Sequence, residues 1–579
     1  MNILGISCFY HDSAAALVRD GTLVAAAQEE RFSRKRHDQG FPTGAIRFCL
    51  DHSGLAAEQI DYIVFYDKPF IKFERILSTY IATFPLSLPS FLKALPVWLK
   101  EKMWIPQTIK SELTYEGPIL FTEHHQAHAA SAFLVSPFEE AAILTLDGVG
   151  EWETSTYGIG RGNSLQLTKC THFPHSIGLL YSAFTYYLGF RVNSAEYKVM
   201  GLAPYGDPVF YDKIMKEMVF VLEDGSFHVN MKYFTYDHGL TMTGKAFERF
   251  FGKPRREPES PLNQFYKDVA ASLQKVTDTI VVRMARHIQR ETGQRYLCMA
   301  GGVALNCVSN SEILKRADFE DVFIQPAAGD AGGAIGSAFY VHNTLFGNPR
   351  TYAMKHVFLG PEYSDAYIDH FLTSKGIPHT RHSREDLLRE TARLIADQGV
   401  VGWFQGRMEF GPRALGSRSI LADARNPRNQ STVNLKIKFR ESFRPFAPAV
   451  LEERTSQYFE WEKPSPYMLF VARVREEKRE IPAVTHVDGS ARLQTVGRIE
   501  NPLFYDLLQE FERQTGCPVL INTSFNVRGE PIVCTPEEAW KCFMRTEMDH
   551  IVMGSYILSK RDMTLVDKSE VPSEQFELD

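Results

Sequence analysis

The sequence predicts an α/β protein, an internally duplicated N-terminal domain followed by a smaller α/β domain. A strand, polar turn, strand unit occurs twice, helical patterns alternate with strands, and glycine-rich turns fall at strand ends. Ile3 to Phe9 is apolar and strand-like, ends at His11-Asp12-Ser13, and resumes from Ala14 to Val18 before the Asp20-Gly21 turn. Ala141 to Leu146, then Asp147-Gly148-Val149-Gly150, then Thr154 to Ile159 repeats that plan. Val269, Leu273, Val276, Ile280, Met284 and Ile288 recur at helical spacing and predict a buried helix face ending near Thr292-Gly293. Strands are then expected at Tyr296 to Met299, before Gly301-Gly302, and at Val322 to Ile324, before Pro326-Ala327-Ala328-Gly329-Asp330. Glycines in such places let a ligand approach the backbone.

Motifs thin out after Leu345, which predicts domains at 1–345 and 386–579 joined by a linker over 346–385. The second domain runs from a strand at Val400 to Phe404 to another at Ile551 to Leu558, and a polar, acidic tail follows from about Arg561. Tyr80 to Trp98 is the most lipid-like stretch, but Pro85, Pro89, Lys93 and Pro96 interrupt it. It reads as a helical insertion packed on the protein or covering a cleft, with no membrane partner.

With 579 residues, 44% hydrophobic and 23% charged, the chain can bury a large core and is not globally disordered. The 64 basic against 70 acidic residues give a net charge of -6, so no broad basic field is available to a nucleic acid. Eight cysteines without a CxxC pair, and no signal-peptide pattern at the start, fit a reduced, cytoplasmic setting.

His124 and His128 stand four apart, so a helix would place both imidazoles on one face as neighbouring metal ligands. Asp330 and Asp147, each in a Gly-flanked turn after a strand, could supply carboxylate oxygens, and two His plus carboxylate suits a divalent first-row metal. The Asp147-Gly148-Val149 and Gly301-Gly302…Asn306 loops are of the kind whose backbone N–H groups cradle phosphate. Towards the C-terminus, Arg413, Arg418, Lys438 and Arg444, with Arg492, Asn522 and Ser524, form a donor-rich set among Gly, Phe and Pro, as in an anion-lined pocket.

FYHDSAAALV, QEERFSRKRHD, HHQAH, EYKVMGLAPYGDP, MAGGVALN, AAGDAGGAIG, EFGPRALGSRSI, FRESFRPFAPAVL, GSARLQTV and INTSFNVRGEPIV resemble the NodU/CmcH family of O-carbamoyltransferases across nearly the whole chain. The resemblance implies an actin-like (ASKHA) N-terminal domain and a YrdC-like C-terminal domain. It also implies that the C-terminal domain makes carbamoyladenylate from carbamoyl phosphate and ATP, with Mg2+ accompanying the nucleotide. The N-terminal domain would then pass the carbamoyl group to a hydroxyl of a natural product, sugar or oligosaccharide.

On this reading His11 is the base and Asp12 orients it or meets the acceptor; His124, His128, Asp147 and Asp330 hold the metal, iron by resemblance. Nucleotide contacts fall to Arg36, Asp147, Gly148, Val149, Gly301, Gly302, Asn306, Arg413, Arg444 and Arg492, and carbamoyl phosphate contacts to Arg418, Lys438, Asn522 and Ser524. The family's tobramycin-modifying member places Lys where this chain has Arg36. A homodimer is compatible with the family. The competing expectation is an ASKHA-type small-molecule kinase, which would have no use for a second anion-lined site.

Overall fold

The computed structural model describes residues 1–440 and 443–565, so most of the tail expected after Arg561 lies outside the described residues. The chain forms two compact units. One comprises Met1–Glu29 and His37–Met354; the other comprises Glu30–Arg36 and the residues from Lys355 onward.

The first unit holds two five-stranded sheets of the same topology. In the first sheet β1 (Asn2–Ser7), β2 (Ala14–Arg19) and β3 (Thr22–Gln28) are antiparallel neighbours, while β4 (Tyr62–Phe65) and β5 (Ile119–Phe121) run parallel to β1, in the order β3-β2-β1-β4-β5. The second sheet repeats this with β6 (Glu140–Leu146), β7 (Glu153–Arg161) and β8 (Ser164–His172) antiparallel. A small hairpin of β9 (Val219–Val221) and β10 (Phe227–Val229) precedes the strands β11 (Tyr296–Ala300) and β12 (Asp321–Ile324), which run parallel to β6. The duplication read from the two strand-turn-strand units is therefore a duplication of whole sheets, the actin-like plan.

Between the sheets, helix Asp330–Phe339 packs on β1 and on helix His124–Phe133. Small residues permit the approach: a Cβ added at Gly336 would collide with the carbonyl oxygen of Ala127, and one added at Gly5 with that of Ala334. The AAGDAGGAIG string thus brings Asp330, at the start of its helix, against the face carrying His128.

The predicted helix face belongs to the 29-residue helix Gln264–Thr292, closed by Gly293 at φ +64°, where a left-handed turn favours glycine. On that helix Asp278 accepts hydrogen bonds from Ser309 Oγ (2.6 Å) and Gln274 Nε2 (2.8 Å), yet burial pushes its carboxyl up from 3.8 to about 6. A raised folded pKa contributes stability that is complete below pH 3.8 and lost as pH rises through 6. Asp278→Asn keeps both acceptor bonds and removes the charge. It should gain little on the wild type near pH 4 and about 1–3 kcal/mol by pH 8, read as a widening gap between thermal midpoints; a constant gap would count against the assignment.

The insertion is helical over Pro69–Ala82, Leu88–Val97, Trp98–Lys102 and Ile105–Leu113. It leaves Phe70, Ile81, Phe84, Leu86 and Leu92 exposed but turns Trp98 and Ile105 inward.

The second unit is built on a nine-stranded mixed sheet. Its strands are β13 (Thr380–Arg381), β14 (Val401–Phe404), β15 (Arg418–Asp423), β16 (Ala447–Leu451), β17 (Phe470–Arg473), β18 (Ser490–Val496), β19 (Val519–Ser524), β20 (His550–Met553) and β21 (Tyr556–Ser559), in the order β13-β21-β20-β14-β15-β19-β16-β18-β17. Two details differ from the sequence reading. The single strand expected over Ile551 to Leu558 is a hairpin, because Gly554 at φ +52° reverses the chain between β20 and β21. The span expected as a linker, 346–385, includes helix Asp365–Ser374 and β13, both in the second unit. Glu30–Arg36 joins that unit through its arginines: Arg31 Nη2 donates to Gly411 O (2.8 Å), and Arg34 donates to Ile532 O (2.8 Å) and pairs with Glu530 and Glu538.

No helix among the described residues is long and apolar enough to cross a membrane.

Candidate functional site: a buried His/Asp centre

Helix His124–Phe133 starts directly after β5 and places His124 and His128 one turn apart on a buried face. Their Nε2 atoms lie 3.1 Å apart, and His124 Nε2 is 3.2 Å from Asp147 Oδ2. Asp330 Oδ1 is 3.8 Å from both imidazoles. All four residues are at most 5% exposed. His125 faces away, its Nε2–H donating to Glu153 O (3.0 Å) while Nδ1 meets Thr145 Oγ1 (2.6 Å).

The electrostatics of this cluster call for a cation. Burial holds His124 and His128 below the usual imidazole range, so both present neutral lone pairs. Burial pushes Asp147 up, but the His124 hydrogen bond and the N–H of Gly302 (2.8 Å) outweigh it and keep the carboxylate ionised. Asp330 is pushed up to about 7 by burial, and its Oδ1 has no hydrogen-bond partner among the described residues. Two imidazole lone pairs, one carboxylate and an unsatisfied carboxylate oxygen converge as ligands of a divalent first-row metal would.

His11 stands at the rim. Its Nε2 is 4.0 Å from Asp330 Oδ2, and its Nδ1 meets Asp12 Oδ2 at 3.0 Å. Burial pulls the imidazole down, but Asp330, Asp12 and Asp147 override it and push His11 up to about 10. Asp12 sits at φ +51° and uses its other oxygen on His37 Nδ1 (2.8 Å). Burial raises Asp12, but His37 and His11 together hold it well below the usual carboxylate range.

Beside His11 opens a cavity of about 140 Å³ lined by Tyr10, Phe65, Lys72, Arg75, Trp98 and Lys102, among others. Of the stretch expected as a helical insertion, Tyr80 to Trp98, it is Trp98 that lines this cavity.

Several residues here carried no sequence signal. Tyr66 donates to Asp330 Oδ2 (3.2 Å). Lys72 pairs with Asp67 (2.6 Å) and lies over the rings of Tyr10 and Tyr66. Glu151 accepts from the backbone N–H of His124 and of Lys68, and burial with Asp67 pushes it up to about 7. Only Glu151 was within reach, as the residue directly after the DGVG string.

The other expected residues fall in three groups. Gly301 takes φ +92° after β11, and Gly302 donates to Asp147, so this loop and the Asp147-Gly148-Val149 turn meet. Asn306 caps helix Cys307–Arg316 by accepting from Ser309 N and exchanges hydrogen bonds with Gln274, which accounts for it structurally.

In the second unit Lys438 is buried; its Nζ donates to Ser524 O and Oγ and to Asn526 O (3.0 Å) and Oδ1 (2.7 Å). Asn522, two residues back on β19, donates to Gln494 Oε1 (2.6 Å) and Ala414 O (3.3 Å), while its own Oδ1 has no partner among the described residues. Arg413 is half-buried in the loop before β15, Arg444 is buried ahead of β16, and Arg492 lies on β18 opposite Val471 of β17. Arg36 is half-buried in the same unit.

Arg418 is held more tightly than the other expected arginines. It is 0% exposed, stacks 3.7 Å from the Phe404 ring centroid, and donates to the carbonyls of Gln405, Gly406, Ser417 and Pro361. These bonds tie the guanidinium to neutral oxygens, and its Nε has no hydrogen-bond partner among the described residues. Glu409 of the same string was missed: its Oε1 accepts from Leu415, Ser417 and Arg418 N–H and folds the GPRALGSRS turn around itself.

The chain is thus a two-unit α/β protein whose duplicated N-terminal unit gathers, at its polar turns, a buried His/Asp cluster that could hold a metal ion. The chain belongs to the carbamoyltransferase family: residues 2–339 match the carbamoyltransferase N-terminus and residues 392–560 the carbamoyltransferase C-terminus. It is similar along its whole length to the uncharacterized protein sll1178 of Synechocystis sp. (52% identity, 100% of each chain). It is also similar to the nodulation protein NolNO of Sinorhizobium fredii (39% identity, 97% of this chain and 81% of that one) and nodulation protein U of Rhizobium tropici (32% identity, 97% and 96%). Its chemistry is O-carbamoyl transfer.

Proposed function

We propose that the transfer is ATP-dependent and runs in two stages. Carbamoyl phosphate, ATP and water give carbamoyladenylate, phosphate and pyrophosphate in the C-terminal unit, and the carbamoyl group then passes to an alcohol with release of AMP. The observation that carries the second stage is the His11–Asp12 pair standing 4.0 Å from a buried His/Asp metal cluster.

A divalent metal bound by His124, His128, Asp147 and Asp330, which we take to be iron, would supply positive charge against the phosphate oxygens of departing AMP. With the charges of Asp330 and Asp147 so engaged, Asp12 remains as the partner of His11 and keeps Nδ1 protonated, leaving Nε2 to accept the acceptor hydroxyl's proton. His37 holds Asp12 from its other side. The cavity flanked by Tyr10, Trp98, Lys72 and Arg75 would seat the acceptor, a natural product, sugar or oligosaccharide.

For the first stage, Lys438 with Asn522, Ser524, Arg413, Arg444 and Arg492 would hold carbamoyl phosphate and ATP in a YrdC-like core; the polar surroundings of Lys438 support this. Gly302 and the Asp147 turn would meet the adenylate in the N-terminal unit.

The test is acceptor-free. Protein loaded with a divalent metal, given ATP and carbamoyl phosphate, should form pyrophosphate and carbamoyladenylate, detected by mass spectrometry. ADP appearing with added alcohols, and no adenylate, would replace this reading with a kinase.

A further inference from the structure

Seven of the eight cysteines are buried, and Cys170 is the exposed one. It sits on β8, the edge strand of the second sheet, two residues before His172, so both side chains share a face of the strand. Across the ladder Glu153 of β7 stands opposite His172. Cys170 Sγ lies 3.3 Å from His172 Nε2, and His172 Nε2 lies 3.7 Å from Glu153 Oε1. The three ligand atoms all fall within 4.8 Å of one another.

Those spacings have a chemical meaning. Around a tetrahedral zinc ion with Zn–S of about 2.3 Å and Zn–N or Zn–O of about 2.1 Å, adjacent ligand atoms lie roughly 3.4–3.6 Å apart. The imidazole thus already stands near the separation that ligation requires from both the thiol and the carboxylate, on paired strands rather than on a loop. The donor set is borderline-soft, unlike the all-N/O centre of His124, His128, Asp147 and Asp330.

We propose that Glu153, Cys170 and His172 form a second metal site that takes one zinc-like divalent ion through thiolate, imidazole and carboxylate, with its fourth position open to water. Binding replaces the thiol proton, which leaves to solvent, by an S–Zn bond. The ion would clamp the edge strand β8 to the start of β7. There, Glu153 O also accepts from Gly150 N (2.8 Å) and from His125 Nε2, so the clamp would brace the turn that presents Asp147.

Because the other thiols are buried, alkylation reports on this site. Iodoacetamide labelling of Cys170 in the full-length protein, followed peptide by peptide, should slow about tenfold with one equivalent of zinc beyond that needed to fill the buried centre. The protection should vanish in His172→Ala and Glu153→Gln. Cobalt(II) should add a thiolate charge-transfer absorption that Cys170→Ser abolishes and His128→Ala retains, since the buried centre has no sulfur ligand. Labelling unchanged by zinc, or protection that survives loss of both His172 and Glu153, would overturn the site.

Discussion

His11→Ala lowers carbamoyl transfer by about 10²–10⁴-fold, the usual worth of a positioned general base, and leaves pyrophosphate release in the first stage at the wild-type level. Both stages can be read in one reaction with a polyol such as glycerol as stand-in acceptor, from pyrophosphate and from O-carbamate with AMP. The asymmetry follows from placement: His11 touches Asp12 and faces Asp330 and has no part in the set around Lys438. A pH profile separates a base from a structural imidazole. Asp12 favours the protonated form of His11, so transfer should fall on the acid side as His11 takes up a proton. Asp12→Asn should move that limb to lower pH while lowering the maximum rate. Equal loss of pyrophosphate release and transfer in His11→Ala would mean that the residue supports the fold rather than the chemistry.

The centre next to His11 was legible because its signals are local. A four-residue spacing on a helix fixes the relative positions of two imidazoles, and Asp147 and Asp330 each follow a strand end where the chain must turn. The glycines flanking Asp330 recorded, in one string, the close packing that carries it to His128. Tyr66, Lys72 and His37 reach the same place from segments separated by tens of residues, and only the parallel pairing of β1 with β4 brings Tyr66 alongside. Arginine was the ambiguous letter. Arg418 and Arg413 stand five apart in one motif, yet Arg418 is fully buried, with its Nη atoms on four carbonyls and its plane against an aromatic face. Sequence does not distinguish that outcome from a phosphate contact. Glu30–Arg36 was illegible for a related reason, because its alternating charges look solvated until Arg31 and Arg34 meet carbonyls and carboxylates more than 370 residues away.

Lys438→Met should cripple the first stage and spare the fold. Lys438 is 2% exposed, and its hydrogen-bond partners are neutral oxygens of Ser524 and Asn526. Burial, the largest influence, pulls its ammonium well below the usual lysine range; Arg440 adds to that pull, while Cys542 and Glu530 oppose it. Among the described residues no carboxylate stands in ion-pair contact with it; a buried cation so placed costs folding free energy, and an incoming phosphate or carbamate would offset it. Methionine fills similar volume and removes the charge but leaves the oxygens of Ser524 and Asn526 short of a donor; the opposing effects should keep stability within about 1–2 kcal/mol. Adenylate formation should fall about 10²–10³-fold, the loss expected when a preorganised donor to a transferring group is removed. Transfer from carbamoyladenylate supplied directly should persist, the mirror image of His11→Ala. A variant that melts far below the wild type yet still forms adenylate when folded would make Lys438 a structural post. Intact stability with lost pyrophosphate release would place the anion beside its ammonium.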